Sequence, residues 1–329
     1  MEWQDRLVFV TGAGGFIGSH LVEALVGRGA RVRAFVRYNS RGDWGFLHEL
    51  SPAHRDRVEI VAGDLRDGDA VARAMRDTTV AFHLGAMIAI PYSYVHPREV
   101  ADVNIFGTLN VLAAARELGL ERVVHTSTSE VYGTAQYVPI DERHPLVGQS
   151  PYSASKIAAD QLAESFARSY DLPVAIARPF NTYGPRQSAR AVIPTVISQA
   201  LAGGRLLIGA RHPTRDLNFV SDTVSGFLRI AECPEAVGQV VNLGTGREIS
   251  VGDLVDTIVR LVGKPVEVVV DPARLRPERS EVERLLADNR KAQRLLGWAP
   301  EVSLEDGLAR TIEWIRAHAA LYRAREYAV

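Results

Sequence analysis

Leu7-Val8-Phe9-Val10-Thr11-Gly12-Ala13-Gly14-Gly15-Phe16-Ile17-Gly18 runs from a short apolar stretch, through glycines, into a pattern of helical period continued by Leu21, Val22 and Leu25. A strand that enters a helix through such a turn lets its backbone approach a pyrophosphate closely. The helix N-terminus then faces the negative charge. Gly12, Gly15, Phe16, Ile17 and Gly18 are therefore the candidate contacts to a dinucleotide. The spacing is G-x-x-G-x-x-G rather than the general G-x-G-x-x-G. Glycines alone would describe an ordinary turn; the strand before them and the helix after them add the second and third constraints.

Outward from this turn the chain alternates. Apolar runs at Leu7–Val10, Val32–Val36, Val58–Ala62, Val80–Leu84, Val123–Thr126 and Val174–Arg178 are separated by helical patterns, among them 100–118 and 157–170. This order predicts an α/β fold: a doubly wound parallel (Rossmann) sheet covered on both faces. After Pro179 the elements become short and mixed, with turns at Tyr183-Gly184-Pro185 and Gly203-Gly204, up to an amphipathic helix at 304–318. The expected division is a dinucleotide domain over 1–180 and a smaller substrate-binding lobe over 181–329, some of whose segments return to the first.

The 329 residues, 47% hydrophobic, are enough for a full core. Lys and Arg number 38 against 39 Asp and Glu, so no overall field favours nucleic acid or an anionic membrane. A polyanionic ligand needs a local site. The single cysteine, Cys233, excludes an internal disulfide and a thiolate metal cluster, and no metal site is expected. The first residues are polar and acidic, and no apolar run approaches the roughly 18 residues of a membrane span. A soluble cytoplasmic protein is the expectation.

Tyr152-Ser153-Ala154-Ser155-Lys156 places a phenol and an ammonium one helical turn apart on one face. A neighbouring cation and an oxidised nicotinamide both favour phenolate, which makes the tyrosine a general base. Upstream, His125-Thr126-Ser127-Thr128-Ser129-Glu130-Val131-Tyr132-Gly133 ends the fifth strand, on the edge where doubly wound sheets bind ligands. Thr128 can hydrogen-bond a sugar hydroxyl, and Glu130 brings a second base. At the end of the second strand, where an acid would hold the ribose hydroxyls of NAD, the sequence has Arg37 and no acid until Asp43. A cation there favours the phosphate of NADP; the alternative is a surface arginine stacked on adenine, with NAD bound.

Together these motifs, from residue 7 to about residue 300, resemble the extended short-chain dehydrogenases that act on nucleotide sugars. The resemblance implies a tightly bound cofactor regenerated at each turnover, lined also by Asp64, Leu65, Leu84 and Ala86. His83 would line it too or be a core histidine, and Asn104 would support the active-site backbone. It implies a nucleotide-diphosphate sugar held by Ser93, Asn181, Arg186, Arg215 and Arg276, and a homodimer built from the 100–118 and 152–170 helices. Glu130 is similar to the acid of sugar-nucleotide 4,6-dehydratases, where Tyr152 takes the 4-hydroxyl proton, Glu130 removes the C5 proton and water leaves C6. Ser129 stands where dTDP-glucose dehydratases have an aspartic acid. UDP-glucuronate decarboxylases and 4-epimerases are therefore alternatives, with a non-catalytic NADP-binding sensor more remote. The stretches 128–140 and 179–190 resemble the amino-sugar dehydratases of legionaminic type, which points to a nucleotide-linked N-acetylglucosamine.

Overall fold

The computed structural model describes residues 1–275 and 277–322; Arg276, a candidate diphosphate contact, lies outside the described residues. All six apolar runs are strands: β1 (Leu7–Thr11), β2 (Arg31–Arg37), β3 (Val58–Gly63), β4 (Val80–His83), β5 (Arg122–Thr126) and β6 (Val174–Pro179). A seventh, β7 (Val240–Leu243), joins them from the second half of the chain. The sheet order is β7-β6-β5-β4-β1-β2-β3, with every pairing parallel.

Parallel strands covered on both faces need apolar residues on both faces, and β1 supplies them by alternation. Val8 and Val10 point into a core shared with Leu21, Val22 and Leu25 of α1 (Phe16–Gly27), while Phe9 packs on the other face with Phe35, Val111, Leu112 and Val123. The strand order reverses between β1 and β4. Ligands of such sheets bind at this switch point, beyond the carboxyl ends of the strands. Thr11, His83 and Thr126 end their strands there.

Three features of the chain path bear on the site. The helix expected over 100–118 is interrupted: Pro97–Ala101 passes through a wide i→i+5 turn at Asp102–Phe106 before α2 (Gly107–Glu117) begins. The helical pattern of 157–170 continues back through Lys156 and Tyr152, and α3 spans Pro151–Tyr170. Its start is fixed by a reciprocal cap in which Ser153 N–H donates to Ser150 Oγ and Ser150 N–H donates to Ser153 Oγ, with Pro151 at the first helical position. Finally, the segment after residue 180 returns to the first domain through α4 (Val220–Glu232), which packs on α1, β5 and β6, and through β7 beside β6. The rest of the second lobe carries three two-stranded pairs and α5 (Leu304–Ala317). Among the described residues, no helix is long and apolar enough to cross a membrane.

Candidate active site

The glycine turn has the shape its sequence implies. Gly12 takes φ +67°, and a Cβ on it would lie 2.8 Å from the Gly85 nitrogen after β4. A Cβ on Gly18 would lie 2.1 Å from the Gly12 carbonyl oxygen. Close approach of backbone to backbone thus excludes side chains at both positions. Gly15 is the N-cap of α1 and no side chain caps that end, so the first amides of the helix remain available to an anion. Side-chain-free backbone and an uncapped helix N-terminus at the switch point fit a dinucleotide pyrophosphate.

Leu84 and Ala86 lie on the loop after β4. Leu65 sits against this wall, with its Cδ1 2.8 Å from where a Gly85 Cβ would stand. Asp64 is paired with Arg66 at 2.6 Å, and the Arg66 hydrogen bond holds its carboxyl below the usual range. Arg37 ends β2 with its side chain 69% exposed; its Nη2 is 3.7 Å from Glu99 Oε1. Glu99 also accepts a hydrogen bond from the Tyr92 hydroxyl at 2.5 Å.

His83 is a core histidine whose bonds form a complete chain. Gly85 N–H donates to Thr11 Oγ1, and that hydroxyl meets His83 Nδ1 at 2.8 Å. On the other side His83 Nε2 lies 3.1 Å from Thr108 Oγ1, whose own hydrogen goes to the Asn104 carbonyl. Thr108 can therefore only accept from the ring, so the proton sits on Nε2 and Nδ1 accepts from Thr11. Burial pushes the ring's pKa well down, with the nearby charges of His125 and Lys156 adding to it, and His83 stays neutral.

The two segments expected to carry the chemistry meet at the end of β5. Lys156 Nζ donates to the Thr126 carbonyl at 2.7 Å. Thr128 Oγ1 accepts the Glu130 N–H, and both side chains lie close enough to the Tyr152 phenol to shift its proton affinity. Burial drives the Tyr152 phenol upward, the Thr128 bond opposes this, and the charges of Glu130 and Asp160 push it further up. This chain alone thus favours the neutral phenol. Burial brings the Lys156 ammonium down to about 8. Glu130 is 9% exposed, and Ser129 beside it is buried.

Two residues complete the scaffold. The side chain of Asn104, set in the wide turn before α2, accepts Met87 N–H at 2.7 Å and donates to Met87 O and to Ser155 Oγ. Asn104 therefore ties the loop after β4 to α3 one residue from Lys156. Ser155, which the sequence reading did not single out, relays the contact to the Tyr152 carbonyl at 2.7 Å. Its signal was present only as a small hydroxyl between the tyrosine and lysine.

The substrate candidates are less uniform. Asn181 begins a short strand, Asn181–Tyr183, and its Oδ1 is buried without a hydrogen-bond partner among the described residues, a state that calls for a ligand or water. Arg215 bonds the Thr214 carbonyl and pairs with Glu281 at 3.2 Å. Ser93 is fully buried and donates its hydroxyl to the Ile90 carbonyl. Arg186, the remaining candidate, lies in a left-handed conformation at φ +68°, its two Nη atoms bonded to Glu23 of α1 and its guanidinium placed over the Trp314 ring, while its buried Nε has no hydrogen-bond partner among the described residues. A carboxylate thus already engages part of this guanidinium.

The family described as GDP-mannose 4,6 dehydratase matches residues 9–311 of the chain. The chain belongs to the extended short-chain dehydrogenase family of nucleotide-sugar epimerases and dehydratases. A UDP-glucose 4-epimerase of Mycolicibacterium smegmatis is 39% identical over 93% of this chain and 97% of its own length. An epimerase of Methanothermobacter thermautotrophicus superposes with a TM-score of 0.90 at 32% identity, covering 98% of this chain and 96% of its own. A dTDP-glucose 4,6-dehydratase of Streptomyces venezuelae, solved with NAD bound, gives 0.86 at 31% identity, covering 96% and 99%. Epimerases and dehydratases thus share this scaffold.

Proposed function

We propose that the protein is a nucleotide-sugar 4,6-dehydratase that makes a 4-keto-6-deoxy sugar. The observation that carries this reading is the buried Glu130 carboxylate beside Tyr152. A bound nicotinamide dinucleotide supplies the reversible hydride acceptor and donor that the chain itself lacks. Tyr152 takes the proton of the sugar 4-hydroxyl as C4 becomes a ketone, Thr128 orients that hydroxyl, and Lys156 supports the phenolate electrostatically. The ketone acidifies C5–H, and Glu130 removes that proton. Because Ser129 is too weak an acid to protonate the departing 6-hydroxyl, Glu130 returns its own proton there as water leaves. The resulting enone would take back at C6 the hydride removed from C4, and a proton at C5 that balances the one Tyr152 took from the 4-hydroxyl, giving the 4-keto-6-deoxy sugar. Asn181 and Arg215 hold the sugar diphosphate, and a nucleotide-linked N-acetylglucosamine is the substrate.

Arg37 supports NADP as cofactor, because it offers an exposed cation at the end of β2 where no acid stands to bind the ribose hydroxyls. NAD is the alternative, favoured by the Glu99 carboxylate already beside Arg37. Mass analysis of the dinucleotide released from purified protein decides between them. A homodimer through α2 and α3 is supported by exposed Phe106, Leu118 and Tyr170 at the ends of these helices; sedimentation at micromolar concentration tests it.

A 4-epimerase is the second reading, favoured by the 39% identity to the M. smegmatis enzyme. Incubating the protein with UDP-, dTDP- and GDP-linked hexoses and N-acetylhexosamines, with product masses recorded, separates the two. Loss of one water supports the dehydratase. An unchanged mass with inverted C4 overturns it in favour of the epimerase, and loss of carbon dioxide from UDP-glucuronate overturns it in favour of a decarboxylase.

A further inference from the structure

Beneath the Tyr152–Lys156 face lies a polar cluster that the proposed chemistry does not use. Asp160, one turn beyond Lys156 on α3, has no exposed surface, and its carboxylate is fully engaged. Oδ1 accepts His125 Nε2–H at 3.1 Å; Oδ2 accepts the Ser127 hydroxyl at 2.6 Å and both Nε and Nη2 of Arg178 at 3.1 and 2.8 Å. Arg178 continues to the Tyr132 hydroxyl, and Tyr132 to Asn242 on β7.

The register of these bonds is what gives them meaning. Asp160 grips residues 125 and 127, and the carbonyl between them, on Thr126, is the one that receives Lys156 Nζ. Lys156 is therefore set by Asp160 twice: through the strand end that positions its acceptor, and through a unit negative charge one helical turn away. We propose that Asp160 is a positioning residue that holds Lys156 against Thr126 and keeps its amine protonated in the working enzyme, with Arg178 as the counter-charge that lets the carboxylate stay buried. The part about the working enzyme rests on the catalytic reading of Lys156; the effect on the amine does not.

Every charged or titratable group around Lys156 bears on the sign. His83 on β4 and His125 on β5 are held down by burial and carry no charge near neutral pH. Glu130 lies towards Tyr152, Arg178 on β6 bonds Asp160, and Tyr152 is neutral in the chain alone. Burial pushes Lys156 down and the Asp160 charge opposes it. Burial would also raise Asp160 itself, but the His125 bond and the Arg178 charge outweigh that, so the carboxylate stays ionised throughout the useful pH range.

The test reads the amine directly, without substrate. In protein carrying ¹³C-labelled lysine, the Lys156 Cε signal is assigned by its loss in Lys156→Met and titrated with pH. Side chains one turn apart are about 5–6 Å distant, which at a dielectric of about 20 corresponds to a displacement of about two pH units. Asp160→Asn is expected to move the midpoint acid-ward by that amount, whereas Asp160→Glu, which keeps the charge, holds it near the native value. Because Asp160→Asn leaves Arg178 buried without its partner and can fail to fold, the double variant Asp160→Asn/Arg178→Met removes both charges and carries the same expected direction. A midpoint unchanged within about 0.3 pH units in the folded single or double variant overturns the proposal. Absence of turnover on every nucleotide sugar would sink the catalytic reading and leave this titration intact.

Discussion

Replacing Gly18 by alanine, with Gly27→Ala as its partner, tests whether the glycine turn owes its shape to backbone packing. Both glycines lie on α1, so the change in helix propensity has the same sign at each. At Gly18 the new Cβ would stand 2.1 Å from the Gly12 oxygen, 2.9 Å from the Gly12 carbonyl carbon and 3.0 Å from the Ala13 Cα. Comfortable contact is about 3.5 Å or more, so the turn must move by over ~1 Å, and the obstructing atoms are backbone that cannot rotate away. Overpacking of this kind costs about 1–3 kcal/mol. The displaced amides are those proposed to face the pyrophosphate, so a loss of that size weakens dinucleotide binding by about 5- to 150-fold. Around Gly27 nothing lies within 4 Å of the added Cβ. Gly27→Ala, at the last turn of the helix, therefore gains about 0.5 kcal/mol from propensity with no clash. Urea denaturation reads the stability of each variant and calorimetric titration with NAD and NADP reads the affinity. A Gly18→Ala protein as stable as the native one, binding dinucleotide within threefold of it, would refute the packing argument.

Tyr152→Phe is expected to retain bound dinucleotide while the rate of C4 oxidation falls by about 10²–10⁴, measured as absorbance at 340 nm on mixing with substrate. Glu130→Gln should form the C4 ketone and release no water, which mass spectrometry of the quenched reaction shows; normal turnover would remove Glu130 from the mechanism. His20, His83 and His125 are all held below the ordinary histidine value by burial. Below pH 6.5 the unfolded chain therefore takes up protons that the folded one refuses, and stability falls as pH drops from that point towards the folded values, by up to about 1.4 kcal/mol per histidine per pH unit. Urea midpoints between pH 5 and 7 check this, and His83→Gln should flatten the slope. Arg186→Ala, which leaves Glu23 and Trp314 without their partner, is expected to lower stability by about 2–3 kcal/mol while the KM for the nucleotide sugar stays unchanged; a rise in KM alone would return Arg186 to the substrate site.

What the sequence determined by itself was everything set by short-range pattern. Six strands, the glycine turn at Gly12 to Gly18, and Tyr152 one turn from Lys156 were readable because each depends on residues within a few positions of one another. The seventh strand was not: Val240–Leu243 belongs to the sheet only because it pairs with β6, more than sixty positions earlier. The same holds for charged side chains, whose meaning lies in the partner rather than in the neighbours. Arg186 reads equally as a phosphate ligand or a solvent-facing charge, and only the fold brings Glu23 of α1 to it. His83 reads as either a cofactor contact or a core histidine, and only the fold brings Thr11 and Thr108 to its two nitrogens. Asp160 and Arg178 attract no notice in the sequence, and only the packing of α3 across β5 and β6 makes them one buried pair beneath Lys156, where loss of water gives their charges the strength to matter.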